Sequence, residues 1–378
     1  MTNHYKTLQS AFEQALKLEG LEQDAFIESF GVDHPALLEQ LRGLLVADAK
    51  TDHALAGPIA ESADAIASTD GDPWLHRSVG AWKIVDRIAD GGMGAVFLAE
   101  RVDQQYEQQV AIKIMSARLL ASDAIERFKA ERQILANLSH PYIAQLHDGG
   151  ATEDDLPYLV MEYIDGLPID EHCIKHALDI DERLALFVKV CTAVDHAHRN
   201  LTVHRDLKPS NILIDQRGDP KLLDFGIAKL LDTQTGEPTD ELTRAGGRAM
   251  TPQYASPEQV RGEPISVATD VYSLGVLLYR LMTGTSPYGD MTASSVSIEQ
   301  AILDITPSRP STLFETTGQP NSDQHLAGNS DRQIRNKLSG DLDTIILKAL
   351  QKEADRRYPS VAMFAADVGR YLTHQPIE

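Results

Sequence analysis

Leu8, Phe12, Ala15 and Leu16 recur at helical spacing, and Leu37, Leu38, Leu41, Leu44 and Leu45 repeat that pattern after Gly31. Phe26, Ile27 and Phe30 lie between the two runs, and Asp33-His34-Pro35 has the composition of a helix start. Residues 1–70 are therefore expected to form a small all-α N-terminal module. The polar, turn-forming run Ser68-Thr69-Asp70-Gly71-Asp72-Pro73 breaks the pattern, and a linker is expected over 71–77. From Trp82 to about Ile114 the apolar positions cluster as strands separated by turns, whereas helical spacing dominates from about Asp181. Strands first and helices later predict an α+β domain of two lobes. The polar stretch from Pro307 to Ser339, with Gly318, Pro320, Asn321, Gly328 and Asn329, is expected as a long mobile loop.

Composition narrows the setting. The 378 residues are 42% hydrophobic, ample for a buried core. Thirty-five basic against 56 acidic side chains give a formal charge of −21, which disfavours nucleic acid and anionic membranes as partners. Cys173 and Cys191 are the only cysteines, too few for a disulfide framework. No secretory leader opens the chain, and no apolar run approaches the roughly 20 residues that a membrane helix needs. A cytoplasmic protein is expected.

Chemistry concentrates in His204-Arg205-Asp206-Leu207-Lys208-Pro209-Ser210-Asn211. Within six positions this run holds a carboxylate, an ammonium and an amide. Asp206 can accept a proton from an incoming hydroxyl, Lys208 can neutralise charge on a moving phosphoryl group, and Asn211 can hold a metal ion. Ile88-Ala89-Asp90-Gly91-Gly92-Met93-Gly94-Ala95-Val96 lies between strand-like runs, and its glycines let backbone amides approach a phosphate. Taken alone, such a run is also a common hairpin turn. Val110-Ala111-Ile112-Lys113 is an apolar strand ending in lysine, and Leu223-Asp224-Phe225-Gly226 follows Asn211 by 13 positions. Each is ordinary in isolation; their order and spacing are not.

Together these runs resemble protein kinases. Lys-Pro-Ser-Asn is the form typical of the serine/threonine-specific branch. Gly-Gly-Met-Gly, Ser-Pro-Glu-Gln-Val-Arg-Gly and Lys-Leu-Leu-Asp-Phe-Gly-Ile-Ala-Lys look like the bacterial serine/threonine kinases described as eukaryotic-like. The resemblance covers about residues 76–375 and implies a bilobal kinase-like fold, with a kinase domain over 78–375, an N-lobe over 78–163 and a C-lobe over 164–375. It implies transfer of the ATP γ-phosphate to protein serine and threonine hydroxyls. Asp206 would be the catalytic base, assisted by Lys208, while Lys113 would pair with Glu131 and hold the α- and β-phosphates. Asn211 and Asp224 would carry magnesium, with manganese as an alternative.

By the same resemblance Ile88, Gly91, Gly94, Val96 and Ala111 would cover the nucleotide, and Leu213 would lie below it. Met161 would guard the back of the pocket, and the base would bond to backbone groups at Glu162 and Ile164. Glu258 would pair with Arg357, and Asp270 would anchor the catalytic-loop backbone. His204 would stack behind Phe225 with Leu135 and Leu146.

Ala89, at the first glycine position, and Met250 depart from the pattern. They are the only support for the rival reading, a nucleotide-binding scaffold. Arg205 ahead of the base implies control by phosphorylation between Gly226 and Thr251. Thr243 is the first choice and Thr239 the second, with Arg205 and Lys229 gripping the phosphate and Thr251 aligning the acceptor hydroxyl. The alternative, that these threonines only solvate a loop, stays open. His172 and His176 lie one helical turn apart, but no further zinc ligand is near, so an exposed helix face is expected there. Residues 1–70, richer in acidic than basic side chains, are expected to bind a protein partner or simply to pack.

Overall fold

The computed structural model describes residues 72–91, 94–103, 106–115, 138–225, 252–289, 295–316 and 331–378, together with positions 30, 132 and 136. The expected helical module at 1–70 lies outside the described residues except for position 30. Glu131, Leu135, Lys229, Thr239, Thr243, Met250 and Thr251 lie outside them too. Asp72–Glu378 forms one compact unit.

Its first part is a sheet of β1 (Ser78–Val79), β2 (Trp82–Gly91), β3 (Gly94–Arg101), β4 (Gln109–Met115), β5 (Leu146–Ala151) and β6 (Pro157–Glu162), in the order β1-β2-β3-β4-β6-β5. All the pairings are antiparallel, so residues directly opposite share a face. Phe97, Ile112 and Val160 line up across β3, β4 and β6 on one face and are fully buried. Trp74 and Leu75 pack onto that face. The stretch expected as a linker over 71–77 belongs, from Asp72 on, to the compact unit, and its turns pack on the sheet. An indole and a leucine between turn residues are enough to hold it there, with Trp74 centred 6.4 Å from the Phe97 ring.

A small second sheet, β7 (Gly166–Pro168), β8 (Ile212–Asp215) and β9 (Pro220–Leu222), follows the crossing between lobes. Gly166 sits against β8 so closely that a Cβ would meet the Ile214 oxygen at 2.4 Å. The helices are α1 (Ile169–Lys175), α2 (Ile180–Arg199), α3 (Pro257–Arg261), α4 (Val267–Thr283), α5 (Ser295–Asp304), α6 (Leu313–Thr316), α7 (Asp331–Leu338), α8 (Asp341–Ala349) and α9 (Val361–Leu372). α2 begins on an Asp179–Glu182 capping box, α3 on Ser256–Gln259 and α4 on Ser266–Thr269, which satisfies amide donors that helix starts leave over. α4 is buried almost all round and forms the axis of the helical lobe. Phe364 of α9 stacks on Tyr358 and meets Phe187 of α2 edge to face.

The long loop expected over Pro307–Ser339 is helical at both described ends, in α6 and α7. Ile334 and Leu338, four residues apart, are both buried, and that single apolar stripe holds α7 against the core. Turn-forming residues concentrated at 318–329 hid it in the sequence.

Candidate active site

Register sets the first wall of the site. Ala89 lies opposite Val96, Val96 opposite Lys113, and Ala111 opposite Met161, so these five share one face of the sheet. That face is opposite the Phe97 face, and it points away from the Trp74 cover. Ile88 is the extra residue of a β-bulge between Arg87 and Ala89 and is half exposed. Gly91 and Gly94 face each other at the hairpin end. Gly94 has φ 146°, and a Cβ there would stand 2.0 Å from the Ile114 oxygen. Sheet packing alone excludes any side chain at Gly94, apart from whatever the loop binds.

Behind Met161 the chain leaves the sheet. The Glu162 N–H donates to the Gln145 oxygen at 2.8 Å, so that amide is already engaged. The Glu162 carboxylate accepts from Lys221 Nζ at 2.7 and 3.0 Å and from the Gln145 N–H at 3.1 Å. This contact ties the crossing between lobes to β9. Nothing local in the sequence marks it. Ile164 is buried and Leu213, on β8, is half-buried.

The opposite wall is the loop 204–211. His204 is fully buried, and its ring lies 4.7 Å from Phe225. Its Nε2 donates to the Leu223 oxygen at 2.9 Å and its Nδ1 accepts from the Asp206 N–H at 3.3 Å, which assigns the neutral Nε2–H tautomer. Burial pulls its pKa below the ordinary histidine value, consistent with a neutral ring. The backbone N–H groups of His204 and Arg205 donate to the two oxygens of Asp270, at 2.7 and 2.8 Å. Arg205 and Asp224 adopt positive φ, 69° and 48°, conformations costly for residues other than glycine unless the surroundings impose them.

On this frame the polar groups converge. Asp206 Oδ2 lies 3.2 Å from Lys208 Nζ and 3.1 Å from Asn211 Nδ2, which also donates to the Asp206 backbone oxygen at 2.8 Å. Across the cleft Lys113 Nζ pairs with Asp224 at 2.8 Å. Strand β4 thus reaches the start of the Asp224-Phe225 segment directly. Asp224 offers a carboxylate and Asn211 an amide oxygen that its own two donor bonds do not use. Such hard oxygen donors fit a divalent cation of the magnesium class. Among the described residues no cluster of three or more His, Cys, Asp or Glu side chains is arranged to hold a metal, and the His172 and His176 rings lie tilted against each other, with centroids 4.3 Å apart.

The segment after residue 251 closes the site from below. Glu258 and Arg357 form two bonds of 2.8 Å, with both groups buried. Burial pushes the Glu258 pKa up, but the bonds from Arg357 and Thr269 outweigh it and leave the pKa below the usual carboxylate value. Two supports escaped the sequence reading. Gln259 Nε2 donates to the Arg205 backbone oxygen at 2.8 Å, and His198 Nε2 meets Asp270 Oδ2 at 2.7 Å. Both residues sit on helices remote in sequence from their partners, so spacing carries no trace of either contact.

Residues 82–367 match the protein kinase domain family. The chain is 34% identical over 304 residues to the serine/threonine-protein kinase PknB of Mycobacterium tuberculosis, covering 79% of this chain and 44% of that protein. It is 34% identical over 297 residues to PrkC of Bacillus subtilis, covering 72% and 44%. The crystal structure of the M. tuberculosis PknI kinase domain superposes with a TM-score of 0.56 at 22% identity, over 79% of this chain and 98% of that one, which establishes the common fold. The chain therefore belongs to the protein kinase family, whose members use ATP and a divalent metal. Within it, the chain is a member of the bacterial, eukaryotic-like serine/threonine protein kinases. It spans less than half the length of these curated relatives.

Proposed function

We propose that this protein transfers the γ-phosphoryl group of ATP to serine and threonine hydroxyls of proteins. The observation that carries this reading is the convergence of Lys208 and Asn211 on one oxygen of Asp206. Two contacts on Oδ2 fix the rotation of the carboxylate that is to receive the acceptor proton.

The base lies between the Val96–Ala111 face and Leu213, with Met161 behind it and the backbone at Glu162 and Ile164 beside it. Ile88, Gly91 and Gly94 cover the nucleotide, and Lys113 holds its α- and β-phosphates, with Glu131 as its partner. Magnesium, or manganese, on Asp224 and Asn211 would neutralise phosphate charge. The acceptor oxygen forms a bond to the γ-phosphorus as the bond to the β–γ bridging oxygen breaks. The hydroxyl proton passes to Asp206, Lys208 screens the equatorial oxygens, and ADP leaves.

Activation follows from autophosphorylation of Thr243, or of Thr239, with Arg205 and Lys229 binding the phosphate and Thr251 aligning the acceptor. We assign residues 1–70 to a helical partner-binding module and 78–375 to the kinase domain. A cytoplasmic setting agrees with two buried free thiols, and no helix among the described residues is long and apolar enough to cross a membrane.

The experiment is incubation with magnesium and labelled ATP, followed by phosphosite mapping, beside the Asp206→Asn protein. Label on serine and threonine in the wild type alone is the expected result. Nucleotide binding without transfer would instead establish the scaffold reading.

A further inference from the structure

On the outer face of the sheet, one arginine joins the chain's entry into the catalytic unit to the glycine-rich hairpin. Arg87 Nη1 donates to Asp72 Oδ2 at 2.8 Å, and Arg87 Nη2 contacts Asp90 Oδ1. Asp72 also accepts the Trp74 N–H at 2.9 Å and is its unit's first residue. Asp90 stands beside Gly91 in the register Asp90↔Ala95, Gly91↔Gly94, at the end of the hairpin that covers the nucleotide phosphates.

In an unbroken strand, residues three apart point to opposite faces. The bulge at Ile88 adds one residue between Arg87↔Phe97 and Ala89↔Val96, which reverses the alternation. Arg87 and Asp90 therefore share the outer face with Phe97, and the Arg87 guanidinium lies 5.7 Å over the Phe97 ring. The same bulge sends Ala89 to the nucleotide face, opposite Val96. One inserted residue thus serves both sides of the hairpin.

We propose that Arg87 is a positioning residue for ATP, clamping the glycine-rich hairpin to the Asp72–Trp74 strap. The proposal rests on the ATP-binding reading above. Its action is on nucleotide affinity, since Arg87 lies on the face away from the reacting groups. A hairpin held down in the free protein loses less freedom when phosphates bind beneath it. An exposed ion-pair network on a flat ring gives a modest effect, and the expected size follows from that.

Dissociation constants for magnesium ATP are measured by calorimetry on the full chain for Arg87→Ala, Asp90→Ala and the double variant, with kcat, KM and Tm beside them. Each single variant is expected to weaken binding about two- to fivefold, with kcat within about twofold of wild type. The double variant should be no weaker than the worse single one, because the two residues form one contact. Arg87→Lys should recover part of the loss, since an ammonium reaches one carboxylate and not two. Unchanged dissociation constants, additive losses, or losses matched by an equal fall in kcat and a lowered Tm would each overturn the clamp. If the wild type binds magnesium ATP without transferring phosphate, these constants still decide the clamp and only the phosphotransfer reading fails. A wild type that does not bind magnesium ATP at all overturns both.

Discussion

Asp270 accepts the backbone N–H of His204 at 2.7 Å, across 66 positions of sequence. The carboxylate is fully buried at the start of α4, and it takes the Arg205 N–H and His198 Nε2 as well. The catalytic loop therefore hangs from the most buried helix of the lobe.

Replacing Asp270 with alanine leaves two buried amides and one imidazole without an acceptor. A loss of about 2–4 kcal/mol in unfolding free energy is expected by chemical denaturation. His198→Gln removes one of the three contacts, and its cost should be about 1 kcal/mol. In that variant kcat should fall while KM for ATP stays near the wild-type value, because the nucleotide walls are formed elsewhere. A raised KM with unaltered kcat would contradict this assignment.

Asp206→Asn retains the shape of the base and removes its proton affinity. Phosphotransfer should drop by about 10²–10⁴-fold, the usual size of general base assistance. Magnesium ATP affinity should stay within about threefold of wild type, since Asp206 is assigned to the hydroxyl and not to the nucleotide. Single-turnover kinetics and calorimetry separate the two.

Glu258 and Arg357 are buried together, so removing one strands the other. Arg357→Ala should cost about 3–5 kcal/mol. The double variant with Glu258→Ala should cost clearly less than the sum of the singles. Denaturation curves for the four proteins complete the cycle.

Lys352 gives a pH signature. Its ammonium donates to the Tyr288 hydroxyl at 2.7 Å and contacts the Ile302 carbonyl oxygen. Burial, with Arg357 and Arg261 nearby, brings its pKa down to about 8. The unfolded chain holds that proton up to about pH 10.5, so the folded state is favoured as pH rises from about 8 to 10.5 and gains nothing from this group below 8. Because the side chain is only half-buried, the gain of wild type over Lys352→Met across that range should be about 1–2 kcal/mol. A difference independent of pH would remove the perturbed lysine from the account.

Much of the fold was legible because its chemistry is written in short runs. The strand-then-helix order gave the two lobes, and Asp270 and the Glu258–Arg357 pair came from matching motifs that the structure joins at 2.7–2.8 Å. What escaped was of two kinds. Contacts such as Lys221–Glu162, His198–Asp270 and Gln259–Arg205 link residues 54–72 positions apart, with nothing local to mark either end. Elements such as the Trp74 strap and α7 were hidden by turn-forming neighbours, although one buried stripe or ring sufficed to hold them. Lys113 stands apart from both kinds: sequence spacing pointed to Glu131, which lies outside the described residues, while the ammonium meets Asp224.

The Glu258–Arg357 pair also sets a timetable for biosynthesis. Its two halves are 99 residues apart. At roughly 5–20 residues per second, Arg357 is synthesised about 5–20 s after Glu258. Throughout that interval the nascent chain can hold the whole catalytic loop and still lack the cation that lets Glu258 stay ionised in the interior. The segment carrying Gln259, which grips the Arg205 carbonyl, therefore locks only when Arg357 arrives. The scaffold that carries the catalytic loop is thus complete only once the segment around Arg357 has been made.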